Sequence, residues 1–421
     1  RVLFRFMSLS TSNAASKIDV SVIAAHGDGG ARARAMIRRE TQLQRLVTAY
    51  IATGLLFLLL PGTFLGVWNL LSISAEHPVD SLSPAWLQAH GHAQIFGWLG
   101  TFILGIGFYS LSKMGKLPVF AISRGWTCYG LWTAGVALRW SANVTGWHWR
   151  TLVPVSALLE LGGFLLFFAT VAGHKAQTEP RPAGADKSPQ LKQTPKKEAW
   201  MMVVIASTFG FLAALVANLA TAIYAWWSGD SPAVPLILDQ RLLSLPLWGF
   251  LIPTVWGFNG RWLPVFLGVR APRATSLYAA VITAWLSIAA MLAGHSLVSA
   301  LLMPVAAALS ITALGVFQKS IQPPKLNGVH KSFPVFVRIA YVWLIVGSLV
   351  SIAAALADRA GGIWGASRHA LTVGFLGVMV FSIGPKVLPA FCGMRVLYSP
   401  DRKSTRLNSS HTDISRMPSS A

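Results

Sequence analysis

The sequence predicts an all-α polytopic membrane protein, and three observations lead there. The 421 residues are 54% hydrophobic and only 12% charged, too apolar for a soluble globule of that length. About ten apolar stretches follow one another, each long enough to cross a bilayer core. None shows the two-residue alternation of a barrel strand, so the backbone groups must be satisfied within helices.

The spans fall at roughly 46–73, 85–111, 122–147, 150–173, 200–227, 241–268, 275–294, 297–317, 335–357 and 363–390. Ahead of them, residues 1–45 are polar and Arg-rich and read as a disordered basic cytoplasmic tail. Residue 1 is Arg, and Met7 is the expected initiator. The first apolar run is a full span behind a basic tail, not a cleavable signal peptide. Between the fourth and fifth spans, 174–199 is Pro- and Lys-rich without an apolar period, a cytoplasmic linker. Residues 401–421, DRKSTRLNSSHTDISRMPSSA, resemble the translation of a sequencing-library adapter and are set aside as non-native. The transmembrane helical domain is then 46–398, and the natural chain is expected to continue beyond Pro400.

Lys and Arg number 35 against 14 Asp and Glu, a formal net charge of +21. In a soluble protein this would suggest nucleic acid. Here the basic residues lie in tails and loops, so topology accounts for them and no nucleic-acid partner is expected. Arg38, Arg39 and Arg45 precede the first span. Lys113 and Lys116 follow the second, the linker the fourth, Arg270 and Arg273 the sixth, and Lys319, Lys325 and Lys331 the eighth. The opposite loops hold Glu76, Asp80, Asp230 and Asp239. The positive-inside rule then places the N-terminus in the cytoplasm. Trp86, Trp147, Trp149, Trp226 and Trp227 stand where the outer aromatic belt would be. Cys128 and Cys392 are too far apart in sequence to suggest a disulfide framework and read as apolar fillers.

Two distant segments are alike. HAQIFGWLGTFILGIG (92–107) lies on HALTVGFLGVMVFSIG (369–384) without a gap, matching His92 to His369, Gly97 to Gly374 and Gly100 to Gly377. LPVFLGVR (263–270) echoes LPAFCGMR (388–395). Spans two, six and ten are thus related, each four spans from the next, and a complete chain on this plan has twelve spans in three arcs of four. His92 and His369 both fall roughly 10 Å below the outer surface. Equal depth is what two axial ligands of one haem need. The glycines one and two turns below them admit either a flat macrocycle or a neighbouring helix.

HAxxxxGxxG on spans two and ten, with the three-arc plan, resembles subunit I of the haem–copper oxidases. SRHALTVGFLGVMVFSIGPKVLPAF more specifically resembles NnrS-family membrane proteins. The resemblance implies a b-type haem between His92 and His369, copper as a second metal, and a task in nitric oxide metabolism or protection from nitrosative stress. The electron donor, a quinol or a cytochrome, stays open. The oxidase copper cluster has no counterpart: span six carries no histidine, and the second span-ten ligand position is Ser367. Dioxygen reduction by the oxidase mechanism is therefore not expected.

Other polar residues have their own readings. His90 points about 200° away from His92 around a helix; it is read as an interfacial residue or a copper ligand. Arg368 and Arg241, near outer helix ends, suit either interfacial anchoring or pairing with haem propionates. Arg139 and Glu160, on spans three and four, are expected to pair. Arg261 and Lys386 are read as snorkelling cytoplasmic residues. Two other functions stay open. A secondary transporter would show interrupted helices with convergent polar groups, for which Asn218 and Asn259 stand available. A quinol- or cytochrome-linked reductase would need a second metal site beyond Pro400.

Overall fold

A computed structural model describes residues 27–74, 82–114, 121–172, 198–324, 332–359 and 361–394. The expected linker at 174–199 as far as residue 197, the adapter-like tail and the first 26 residues lie outside them, while Ala199 already opens a helix. The described residues form ten long helical units and no strand. Helix α1 comprises Gly27–Phe57 and Phe64–Ser74, joined by the π-helical stretch Leu58–Thr63. Helix α2 comprises Pro84–His92, the π stretch Ala93–Gly100, and Thr101–Met114. Helices α3, α4 and α5 span Ile122–Thr145, Trp149–Ala172 and Ala199–Ser228. Helix α6 runs through Leu236–Leu242, the π stretch Leu245–Leu251, and Ile252–Phe266. Helices α7, α8 and α9 are Ala274–Leu292, Ser296–Leu314 and Phe333–Ala357. Helix α10 comprises Gly362–His369, the π stretch Ala370–Gly377, and Val378–Phe391.

Nine of these units are long and apolar enough to cross a bilayer, so the chain is a multi-pass membrane protein. The tenth, α3, is a full-length helix whose Arg124, Arg139, Ser141 and Asn143 lower its hydropathy. It packs along α4 and shares the bundle interior, burying Trp132, Val136, Arg139 and Asn143. Exposed Leu59, Leu60, Phe64, Leu286, Leu301 and Leu349 give the bundle the apolar outer surface that lipid requires.

The first helix begins well before residue 46. Residues 27–45, expected to be disordered, continue the span as helix. The reason is compositional: Ala, Arg, Met, Glu, Gln and Leu are strong helix formers, and an existing helix adds residues without a new nucleation cost. Thr41 Oγ1 donates to the Ile37 carbonyl, and Gln44 Nε2 to Glu40 Oε1, along this extension.

The π stretches follow the sequence repeat. In α2 the stretch begins one residue after His92 and ends at Gly100; in α10 it begins one residue after His369 and ends at Gly377. In α6 it begins one residue after Ser244, which stands as far ahead of Leu263 as His369 stands ahead of Leu388. Three segments that resemble one another in sequence therefore carry the same helical irregularity at the same place. Such irregularities are concentrated at functional sites.

The interior is aromatic. Phe211 on α5 stacks on Phe250 of α6 with ring centroids 3.8 Å apart and 3° between planes, and meets Trp132 and Phe164 edge-on. The helices can approach this closely because Gly210 lies against the Gly249 backbone. Helices α2 and α10 also meet, through Trp98 and Phe381 and through Tyr109 and Phe391.

Candidate functional site

The outer ends of α2 and α10 bring two histidines face to face, and they are His90 and His369. Their ring centroids are 6.2 Å apart and their planes differ by 16°. Helix α2 starts where Ser83 Oγ accepts the Trp86 N–H and Pro84 fills the first turn. Helix α10 starts where Asp358 accepts the Gly361 and Trp364 N–H groups, each at 2.7 Å. These caps fix where each imidazole leaves its helix.

Both rings are held the same way. His90 Nδ1 is 2.8 Å from the Gly62 carbonyl in the π stretch of α1. His369 Nδ1 is 2.8 Å from the Gly365 carbonyl one turn back. A carbonyl only accepts, so each Nδ1 carries the proton and each Nε2 keeps its lone pair. Metal-binding histidines are oriented in this manner, with the non-ligating nitrogen donating to a carbonyl or carboxylate.

His92 turns to the opposite side, as its two-residue offset from His90 requires. Its Nε2 is 2.7 Å from Glu160 Oε1, and its ring lies on Phe96 with centroids 4.7 Å apart. Asn218 Nδ2 donates to Glu160 Oε2 at 3.1 Å. His92, Glu160 and Asn218 thus join α2, α4 and α5. The imidazole brought to His369 is that of His90, and the expected His92–His369 pairing gives way to it. The choice between the two was not readable from sequence, because it depends on how α2 is rotated against α1 and α10.

The glycines divide in the same sense. A Cβ on Gly97 would meet Phe57 and Val136, one on Gly100 would meet Trp132, and one on Gly374 would meet Trp343 at 2.6 Å. The expected macrocycle platform at these positions is therefore helix-packing surface. Gly377, 3.9 Å from Trp98 by the same measure, is also a packing position. Gly91, Gly362 and Gly365, beside His90 and His369, have nothing within 4 Å of such an atom.

The charged residues depart from expectation too. Glu160 spends both oxygens on His92 and Asn218, and Arg139 interacts with it and with Asp239 electrostatically, without an ion pair to either among the described residues. Arg139 Nε and Nη1 are buried with no hydrogen-bond partner among the described residues. Arg368 interacts electrostatically with Asp239 and Asp358. Arg241 lies over Gly294. Arg261, expected to snorkel, bonds Glu198 Oε2 at 3.1 Å and stacks over Trp200; the side chain of Lys386 lies outside the described residues.

A haem, which the NnrS resemblance implies, can be tested against these residues. Two imidazole–metal bonds of about 2 Å in line, with the distance from each nitrogen to its ring centre, set the centroids roughly 6 Å apart. The observed 6.2 Å matches that spacing, and neither Nε2 is committed to the carbonyls. Among the described residues no group of three or more His, Cys, Asp or Glu stands together to hold a metal. Two imidazoles alone do not complete a protein-only centre, but they are a full axial set for a haem. No ligands for a separate copper ion are found among the described residues.

Comparison with known proteins adds one match. The profile of a family described as a domain of unknown function (DUF8744) fits residues 324–402, a stretch that takes in α9 and α10 and so the His369 half of the site. No curated protein and no solved structure matches the chain.

Proposed function

We propose that this chain is an NnrS-type membrane protein that binds a b-type haem between His90 and His369. The carrying observation is the pair of near-parallel imidazoles, each with Nδ1 committed to a backbone carbonyl and Nε2 left with its lone pair. Bound there, a haem would supply one-electron transfer. His90 and His369 would hold the iron, with Gly62 and Gly365 fixing the ring orientation. His92 would not ligate but would lock α2 against α4 through Glu160. The task, nitric oxide metabolism or protection from nitrosative stress, rests on the resemblance of 367–391. The orientation, N-terminus in the cytoplasm, rests on the basic loops, and a bacterial inner membrane on the resemblance.

Purified protein in lipid nanodiscs, reconstituted with haem and read by its reduced spectrum and a pyridine haemochrome assay, tests this. His90→Ala and His369→Ala should each abolish the b-type band, and His92→Ala should retain it. Loss of the band in His92→Ala but not in His90→Ala would restore the pairing first expected from sequence. A protein that stays colourless with haem supplied would remove the haem altogether.

A second reading has one specific observation in its favour. Four helices are interrupted by π stretches, and His92, Glu160 and Asn218 converge from three helices in the bundle interior. Interrupted helices with convergent polar groups suit a secondary transporter. Saturable uptake into proteoliposomes by a protein that takes up no haem would favour it.

A further inference from the structure

The His90 ring is carried by α2 but lies against α1. Pro61 has no N–H to give the helical ladder, and α1 widens around it into the π stretch Leu58–Thr63. Thr63 Oγ1 donates to the Leu58 carbonyl at 2.7 Å, and Gln94 Nε2 of α2 reaches the same oxygen at 3.5 Å. Within this stretch the Gly62 carbonyl accepts from His90 Nδ1 at 2.8 Å.

One turn further along α1, Gly66 faces the same ring. A Cβ on Gly66 would stand 2.9 Å from His90 Cε1, 3.2 Å from Nδ1 and 3.7 Å from Nε2. The first two distances are shorter than ordinary van der Waals contact, so glycine is what lets the imidazole edge come this near. Gly62 thus fixes the ring by one hydrogen bond, and Gly66 supplies the room beside it. His369 is held differently. Its Nδ1 bonds the Gly365 carbonyl of its own helix and the residue is exposed, whereas His90 is half-buried against a neighbouring helix.

We propose that Gly66 is a positioning residue of the site: with the Gly62 carbonyl it makes α1 a seat for the His90 imidazole, so that α1 sets where Nε2 points. An imidazole ring should then be recognised there even when it is not attached to α2. The proposal deepens the haem reading and takes its purpose from it. The seat itself is tested without haem, so that either reading can fail alone.

The full chain carrying His90→Gly, in nanodiscs and without haem, is titrated with isotope-labelled imidazole and followed by nitrogen NMR. Saturable binding is expected, with two inequivalent ring nitrogens, one of them donating to the Gly62 carbonyl. Adding Gly66→Leu should weaken that binding about tenfold or more, because the leucine fills the seat. Thermal unfolding reports whether each variant folds. Gly66→Ala in the chain that keeps His90 is the milder variant, and it decides alone if the double variant does not fold. Its His90 ring nitrogens should shift, and with haem supplied the low-spin electron paramagnetic resonance should shift too. No saturable binding to folded His90→Gly, equal affinity in the folded double variant, or unchanged His90 resonances in Gly66→Ala overturns the seat. Imidazole held as expected by a chain that takes up no haem keeps the seat and removes the haem reading.

Discussion

His92 Nε2 lies 2.7 Å from Glu160 Oε1 where Glu160 has no exposed surface. A carboxyl group there has no water to turn to, and its two oxygens are satisfied from two other helices, by His92 of α2 and Asn218 of α5. Within a bilayer the contact therefore acts as a three-helix tie, since lipid gives apolar side chains little preference for one another over acyl chains.

Glu160→Ala should loosen that tie. It leaves His92 and the Asn218 amide without their shared partner, at about 1–3 kcal/mol for each buried group. Glu160→Gln keeps an oxygen that can accept from His92 and should lose clearly less. Thermal unfolding in nanodiscs checks the order; equal transitions for the two variants would refute the tie.

Gly210→Ala tests the closest helix crossing. A Cβ there would stand within covalent-like reach of the Gly249 carbonyl, and backbone cannot rotate away as a side chain can. Overpacking of this kind costs about 1–3 kcal/mol and sometimes more, and the Phe211–Phe250 stack should be lost with it. Gly130→Ala, where nothing lies within 4 Å, is the control and should be neutral or slightly stabilising. The paired thermal shifts decide the matter.

These two contacts also mark how far sequence reasoning reached. Length and apolarity place the spans, because a bilayer imposes one length on every helix. The repeat of 92–107 in 369–384 is mirrored in the π stretch that α2 and α10 share, because related sequences bend alike. Rotation about the helix axis is another matter. Whether His90 or His92 faces α10 depends on Gly62 in α1 and Glu160 in α4, both far away in sequence. Arg139 and Glu160 look like a pair in one dimension because opposite charges on neighbouring spans suggest it. The competing offers of His92 and Asn218 appear only when three helices are assembled. The helical start at Gly27 was hidden by its polar residues, which signal exposure and say little about helicity.

Tyr341→Phe should be a mild defect. Asn259 Nδ2 donates to the Tyr341 hydroxyl at 2.9 Å between α6 and α9, and both residues are buried. Removing the hydroxyl leaves Met379 Sδ, 3.7 Å away, as the weaker partner of that amide. A loss of about 1–2 kcal/mol is expected, with the haem spectrum unchanged because neither residue touches His90 or His369. A shifted spectrum would mean that the α6–α9 contact controls the site.

Gly365→Leu and Gly97→Leu separate space for a cofactor from space for a helix. A Cβ at Gly365 would meet no neighbouring atom within 4 Å, whereas one at Gly97 would press on Phe57 and Val136. Gly97→Leu should therefore lower the thermal transition whether or not haem is supplied. Gly365→Leu should fold as the wild type does, since leucine is the better helix former, yet take up less haem because the new side chain occupies the flank of His369. The two variants are compared by haem stoichiometry and by unfolding without haem. If Gly365→Leu binds haem at the wild-type ratio, the opening beside His369 faces lipid alone, and the macrocycle must lie elsewhere.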